Sequence, residues 1–411
     1  MVKKITRREF IPEATAAVVA VVGLDICAAN EKGRENVHVS SHLSVAGRVN
    51  LGSFYTPARY VERVAGWLRD LGINQDWCIA DLSCGYGAFF ELAEVGELAN
   101  CHYVGNDIDV AAVARAREMF PFVRFSTENV LFEVSREKFG IDVNRRLVIV
   151  GNPPYNDVTS QINHDIKEDD LPQDEDVKTR DLGMSSLLAY NKLRADYVAV
   201  LHPLSYLIKK ANFNATKKFF NNYELVNHVI FSSQEFAGTS KIAGFPVVVA
   251  LYRRVEDGAG LTYDAVKQFR FRTVEGDEFS LDGFDYVTDH IEKYPHKKRY
   301  KPEILFYTMR DINALKRCRT FIGERIPNAV DVDPEKLPYY CYIDCFKRYA
   351  DVPYWMGNFN IPFIEEDFDG IKDFVAADAR FHNQNVFGRV QNVPRGAEQA
   401  IRDYIARAIR H

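Results

Sequence analysis

Five short apolar runs constrain this chain more than any other feature. They are Trp77 to Leu82, Tyr103 to Gly105, Leu147 to Val150, Tyr197 to Leu201 and Val247 to Tyr252. A strand with one wet face alternates apolar and polar residues. These runs do not alternate, so both of their faces must be covered. Helical segments lie between them. Residues 56–70 place Tyr60, Val64, Trp67 and Leu68 on one face, with Thr56 set to cap the helix and Pro57 suited to its first turn. Further helical sequence runs from Phe89 to Leu98 and from Ala111 to Met119. Bare strands spaced by helices predict an α/β fold with a mostly parallel sheet sandwiched between helices.

The regular pattern has limits. Residues 1–50 form an N-terminal helical and connecting segment, 51–255 hold the strand–helix pattern, and 256–411 change to short aromatic strands with frequent turns. We read the last segment as a smaller mixed second domain. Residues 157–182 are acidic and poor in apolar side chains, as expected of a mobile surface loop. The net charge of −5 excludes binding of nucleic acid by bulk charge, so such a partner would need a local basic face. Seven cysteines without framework spacing suggest free thiols in a reducing, cytoplasmic compartment. Cys341 and Cys345 lack two further ligands at zinc-site spacing, and no metal is expected. Arg7 and Arg8 followed by apolar Ala14 to Leu24 imitate a twin-arginine export signal, but we read a buried helix there. No stretch is long and apolar enough to suggest a membrane span.

Two motifs carry chemistry. Asp81-Leu82-Ser83-Cys84-Gly85-Tyr86-Gly87 closes the first apolar run, where glycines allow a tight turn and close approach of backbone to a ligand. Asp107 follows Gly87 by 20 residues, at the end of the next strand. A carboxylate so placed binds ribose hydroxyls, so the pair predicts an adenosine-containing cofactor. Phe90 stands where a nicotinamide fingerprint needs its third glycine, which disfavours NAD. The second motif, Asn152-Pro153-Pro154-Tyr155, directly follows the run ending at Val150. Its prolines stiffen the backbone and remove two N–H donors. The Asn152 amide oxygen and the Pro153 carbonyl can then accept both hydrogens of one exocyclic amine. The Tyr155 ring can stack on a planar base.

Together, Gly52 to Pro57, Asp81 to Gly87 and Asn152 to Tyr155 resemble motifs X, I and IV of the gamma-class amino-methylating DNA methyltransferases. The resemblance covers roughly residues 50–255. It implies a class I, Rossmann-like methyltransferase sheet using S-adenosyl-L-methionine. It places Phe54, Tyr55, Thr56, Pro57, Asp81, Cys84, Gly85 and Gly87 along the cofactor, Asp107 at its ribose, and Ile108 against its adenine. Asn129 stands where the family has Asp. His202 to Leu207 resembles motif VI. Glu235 to Thr239 resembles motif VIII, which makes Phe236 the second aromatic against a flipped adenine.

The implied function is methylation of adenine N6 in double-stranded DNA by a monomer, with 256–411 as target-recognition domain and a cognate restriction endonuclease as a system partner. His296 to Lys301, Arg310 and Lys316-Arg317 are the candidate phosphate contacts, and Asn383 to Asn385 the candidate base contacts. Alternatives are an RNA amine methyltransferase, a protein glutamine methyltransferase, and a non-catalytic nucleic-acid-binding subunit of a larger complex.

Overall fold

The computed structural model describes residues 56–155, 172–236, 244–389 and 392–410. Among these, the chain divides into two compact units. The first takes described residues up to 236 together with Val247–Val266 and Phe271–Asp277. The second takes 244–246, Lys267–Arg270 and the described residues from 278 on.

The first unit is built on a seven-stranded sheet of order β3-β2-β1-β4-β5-β7-β6. Its strands are β1 (Trp77–Asp81), β2 (His102–Asn106), β3 (Arg124–Ser126), β4 (Arg146–Gly151), β5 (Tyr197–Pro203), β6 (Tyr223–Ser232) and β7 (Pro246–Arg254). β1, β2, β3, β4 and β5 pair in parallel, while β7 runs antiparallel to β5. Every residue of β1 is buried, as its unbroken apolar run requires. The strand order places β1 and β4 near the middle of the sheet, with β7 reversed against β5. The expected mostly parallel α/β sheet is therefore the one observed.

Three helices bear on the site. In α1 (Ala58–Asp70), Tyr60, Val64, Trp67 and Leu68 are buried, as their spacing predicts. Thr56 does not cap α1: Pro57 occupies the cap position and no side chain accepts there. Thr56 is instead buried at 4% exposure. α2 (Val110–Met119) is capped by Asp109, whose carboxylate accepts from Ala111 and Ala112. α3 (Leu182–Lys192) is capped in the same way by Asp181. The segment expected as one helix from Phe89 is two 3-10 turns, Ala88–Glu94 and Gly96–Asn100, separated by extended Val95. The described end of the acidic segment is tied down. Asp174 accepts from the Glu133 and Val134 amides and pairs with Lys192 at 2.8 Å.

The second unit contains a small antiparallel sheet of β8 (Leu305–Tyr307), β9 (Phe321–Ile322) and β10 (Ala329–Asp331). It also contains α4 (Leu337–Tyr349), α5 (Lys372–His382) and α6 (Ala397–Arg410). Arg348 lies between the buried carboxylates of Asp344 and Asp378, and the Tyr349 hydroxyl donates to Asp378 at 2.8 Å. Cys341 and Cys345 are both buried in α4, and the Cys345 thiol lies 3.3 Å from Asp378 Oδ1. Among the described residues no helix is long and apolar enough to cross a membrane.

Candidate active site

Strand register brings the candidate residues to one edge of the sheet. Asp81 pairs with Gly105 of β2 on one side and with Val150 of β4 on the other. The chain therefore leaves three adjacent strands at the same level, and the segments that follow are the glycine turn, Asp107 and the Asn152 turn. The carboxyl edge of a parallel sheet, where neighbouring strands release their loops, is where such folds bind ligands.

The glycine turn is tightly held. Gly85 and Gly87 have φ of 52° and 89°. A Cβ on Gly87 would stand 2.7 Å from the Phe90 ring and 3.0 Å from the Phe120 ring, so the position is closed to side chains by sterics as well as by φ. The Cys84 amide donates to the Asn106 carbonyl at 2.9 Å. The Gly85 amide donates to Asp107 Oδ2 at 2.8 Å, and the Asp109 amide to Asp107 Oδ1 at 2.9 Å. Asp107, itself half-buried, thus receives one amide on each carboxylate oxygen. Ile108 beside it is also half-buried. A positive-φ glycine turn, a carboxylate at the next strand end and a half-exposed apolar neighbour together fit an adenosine-bearing ligand.

Asp81 sits beneath this turn at 2% exposure. Its Oδ1 accepts from the Ser83 amide at 3.1 Å and lies 2.9 Å from where a Gly151 Cβ would stand. Gly151, with φ 153°, is thus what lets the Asp81 carboxyl lie against the end of β4. Burial, reinforced by the Asp107 charge, pushes the Asp81 carboxyl up to about 8. Burial also raises the Cys84 thiol, helped by Asp81 and Asp107. A thiol held neutral in this way is a packing group and not a nucleophile.

The Asn152–Tyr155 turn follows β4 directly, with Pro153 buried and the other three residues half-buried. The Tyr155 hydroxyl donates to Asn152 Oδ1, so the acceptor oxygen is oriented by the motif's own phenol. Burial keeps that phenol protonated, with the Asp181 charge adding to the effect.

Phe236 and Asn129 are engaged within the fold. Phe236 is 2% exposed and packs edge-on against Phe231 at 5.4 Å, which in turn stacks on Tyr60 at 4.0 Å. Glu235 beside it accepts from the Tyr60 hydroxyl at 2.5 Å. The Asn129 side chain is bound locally: Oδ1 accepts from the Leu131 amide at 3.0 Å, and Nδ2 donates to the Pro172 carbonyl at 2.7 Å. Phe54, Tyr55, Gly238, Thr239 and the twin-arginine stretch lie outside the described residues.

Of the basic cluster in the second unit, Lys297, Lys298 and Lys301 are exposed, but Arg299 pairs with Asp331 at 3.1 Å and His296 lies 3.1 Å from the Asp331 carbonyl. Asn383 is engaged by Asp344 at 2.9 Å and by the Ala379 carbonyl at 2.8 Å.

Asn106, not foreseen as a site residue, is 1% exposed and ties the strand ends together. Its Nδ2 donates to the Leu82 carbonyl at 3.1 Å and the Glu128 carbonyl at 2.9 Å, and its Oδ1 accepts from the Glu128 amide and the Ser126 hydroxyl at 2.8 Å each. Its one signal in the sequence is a polar residue closing an apolar strand beside Asp107.

The sequence matches no family model and no curated relative. Comparison with solved structures finds partial likenesses. A Pyrococcus horikoshii protein assigned as an RNA methyltransferase is 16% identical over 50% of this chain and 90% of that one, with a TM-score of 0.35. A Vibrio vulnificus protein assigned as the modification subunit of a type I restriction enzyme is 18% identical over 54% and 47%, with a TM-score of 0.38. The methyltransferase subunit of a Streptococcus thermophilus type I restriction-modification system is 13% identical over 62% and 55%, with a TM-score of 0.38. The chain spans about half the length of these two subunits.

Proposed function

We propose that this chain is an S-adenosyl-L-methionine-dependent methyltransferase that methylates the N6 amine of adenine in double-stranded DNA, as the modification enzyme of a restriction-modification system. The observation that supports this reading is the register at β1, β2 and β4. It sets the glycine turn with Asp107 and the Asn152–Tyr155 turn at one sheet edge.

When bound, the cofactor supplies an electrophilic methyl group on a sulfonium sulfur. Gly85, Gly87, Asp107 and Ile108, with Thr56, Pro57, Asp81 and Cys84, are the residues that would hold it. Phe54, Tyr55 and Asn129 are assigned to it by the resemblance. The acceptor side belongs to Asn152, the Pro153 carbonyl and Tyr155; Phe236, packed against Phe231, is assigned as the second ring by the resemblance. The target adenine leaves the duplex to reach them. The Asn152 amide oxygen and the Pro153 carbonyl hold the amine hydrogens, which stops the amine from rotating. The nitrogen becomes positive as it is alkylated, and both dipoles favour that charge before a proton leaves to water. The second unit would read the sequence, with exposed Lys297, Lys298 and Lys301 on phosphates.

The test is base-modification sequencing of DNA from a host expressing the chain. The expected result is N6-methyladenine at one sequence context. Methylation confined to RNA, or no modified base at all, would overturn the assignment.

A further inference from the structure

Gly183, in the first turn of α3, lies against the Asn152–Tyr155 turn. A Cβ at Gly183 would stand 3.2 Å from the Pro154 carbonyl oxygen and 2.5 Å from the Tyr206 hydroxyl. That hydroxyl donates to Asp181 Oδ1, and the same oxygen accepts the Gly183 amide at 3.0 Å and the Met184 amide at 3.1 Å. A carboxylate, a buried phenol and a carbonyl of the turn therefore crowd around one glycine.

Capping alone does not account for this arrangement. Ser or Asn would cap α3 as well as Asp does. Yet a buried tyrosine spends its hydroxyl on Asp181, and that tyrosine is itself held in place. Its ring lies parallel to His202, with centroids 5.3 Å apart. His202 is fully buried, which lowers its pKa to about 4 and keeps the ring neutral. Its Nδ1–H donates to the Pro203 carbonyl at 2.9 Å, leaving Nε2 to accept from Tyr252 at 2.8 Å. The Asp181 charge reaches the motif, since it adds to burial in raising the Tyr155 phenol.

We propose that Asp181 is a positioning residue for the transfer: Tyr206 holds its carboxylate beside the Asn152–Tyr155 turn, where its negative charge favours the positive charge arising on the amine held there. This rests on the function proposed above.

The test compares Asp181→Asn, Asp181→Ala and Tyr206→Phe with the wild-type chain. Unmethylated genomic DNA serves as acceptor. Single-turnover rate, S-adenosylmethionine affinity by calorimetry and melting temperature are measured in parallel. An amide oxygen can still cap α3 and accept from Tyr206. Asp181→Asn should therefore keep its melting temperature and cofactor affinity while losing on the order of tenfold in rate, the effect of removing one charge at medium range. Tyr206→Phe keeps the ring on His202 and should lose rate without losing cofactor affinity. Asp181→Ala should lose both rate and stability.

A wild-type rate in Asp181→Asn would overturn the proposal and leave Asp181 a helix cap. So would a rate that falls only in step with melting temperature and cofactor affinity. A wild-type chain that methylates no nucleic acid would overturn the functional reading and the role of Asp181 with it. That outcome is distinguishable because the other failures require an active wild type.

Discussion

On the proposed function Asn152 holds the acceptor amine and Asp107 the cofactor, and their variants should separate accordingly. Asn152→Ala removes the acceptor oxygen that the Tyr155 hydroxyl orients. Losing a comparable preorganised group costs about 10²–10³ in rate. Methylation by Asn152→Ala should fall by that amount while cofactor affinity measured by calorimetry stays near wild type. A near-normal single-turnover rate would remove Asn152 from amine holding. Asp107→Ala should do the reverse. Hydrogen bonds to a charged group are worth roughly 1.5–3 kcal/mol, so the cofactor dissociation constant should rise about ten- to a hundredfold. Some of that loss would come through the turn itself, because Asp107 also anchors the Gly85 amide. Unchanged affinity in a folded Asp107→Ala protein would take Asp107 out of the site.

Among the elements, α2 offers the cleanest test of local encoding. Asp109 is 8% exposed and accepts from Ala111 at 2.9 Å and Ala112 at 3.2 Å. Two otherwise unpaired amides of the first helical turn are thereby satisfied. Asp109→Ala should cost about 1 kcal/mol of stability, and Asp109→Asn should recover most of it. Equal denaturation midpoints for wild type and Asp109→Ala would show that the cap contributes nothing. Both caps that frame the site, Asp109 and Asp181, are Asp residues placed two before the first amide they bind. Local sequence is enough to form them. It does not reveal that Asp181 also receives the hydroxyl of Tyr206, 25 positions further on.

For the molecule as a whole, pH acts through Asp81. Its folded pKa of about 8 lies above the ordinary 3.8, so the folded protein holds a proton that the unfolded chain releases at neutral pH. The resulting stability is fully present below pH 3.8 and is lost as pH rises through about 8. His202 acts in the opposite sense. Its folded pKa of about 4 lies below the ordinary 6.5, so its contribution is present above pH 6.5 and is lost as pH falls towards 4. Between pH 6.5 and 8 only the Asp81 effect of these two remains. Stability should then fall by about 1.4 kcal/mol per pH unit relative to Asp81→Asn, which has no proton to release. Parallel pH profiles of denaturation for the two proteins over that range would refute the neutral buried carboxyl.

Much of this was legible in the sequence because it depends on neighbours in the chain. Unalternating apolar runs can be satisfied only between two covered faces, so β1, β2, β4, β5 and β7 are legible in the sequence. Glycines at Gly85 and Gly87, followed by Asp107, and two prolines behind Asn152 state their backbone demands locally. The tertiary structure decided what depends on distant partners. The insertion of β7 between β5 and β6, antiparallel to β5, rests on pairing with distant strands, and no local pattern encodes it. Asn106 gains its meaning from carbonyls 22 and 24 residues away. His296, Arg299 and Asn383, which read in sequence as groups free to meet DNA, are engaged by Asp331, Asp344 and Ala379. Polar side chains carry no mark of whether their partner is solvent, ligand or a carboxylate across the fold. Packing alone assigns them, and it is packing that brings Asp181, Tyr206 and Gly183 against the Asn152–Tyr155 turn.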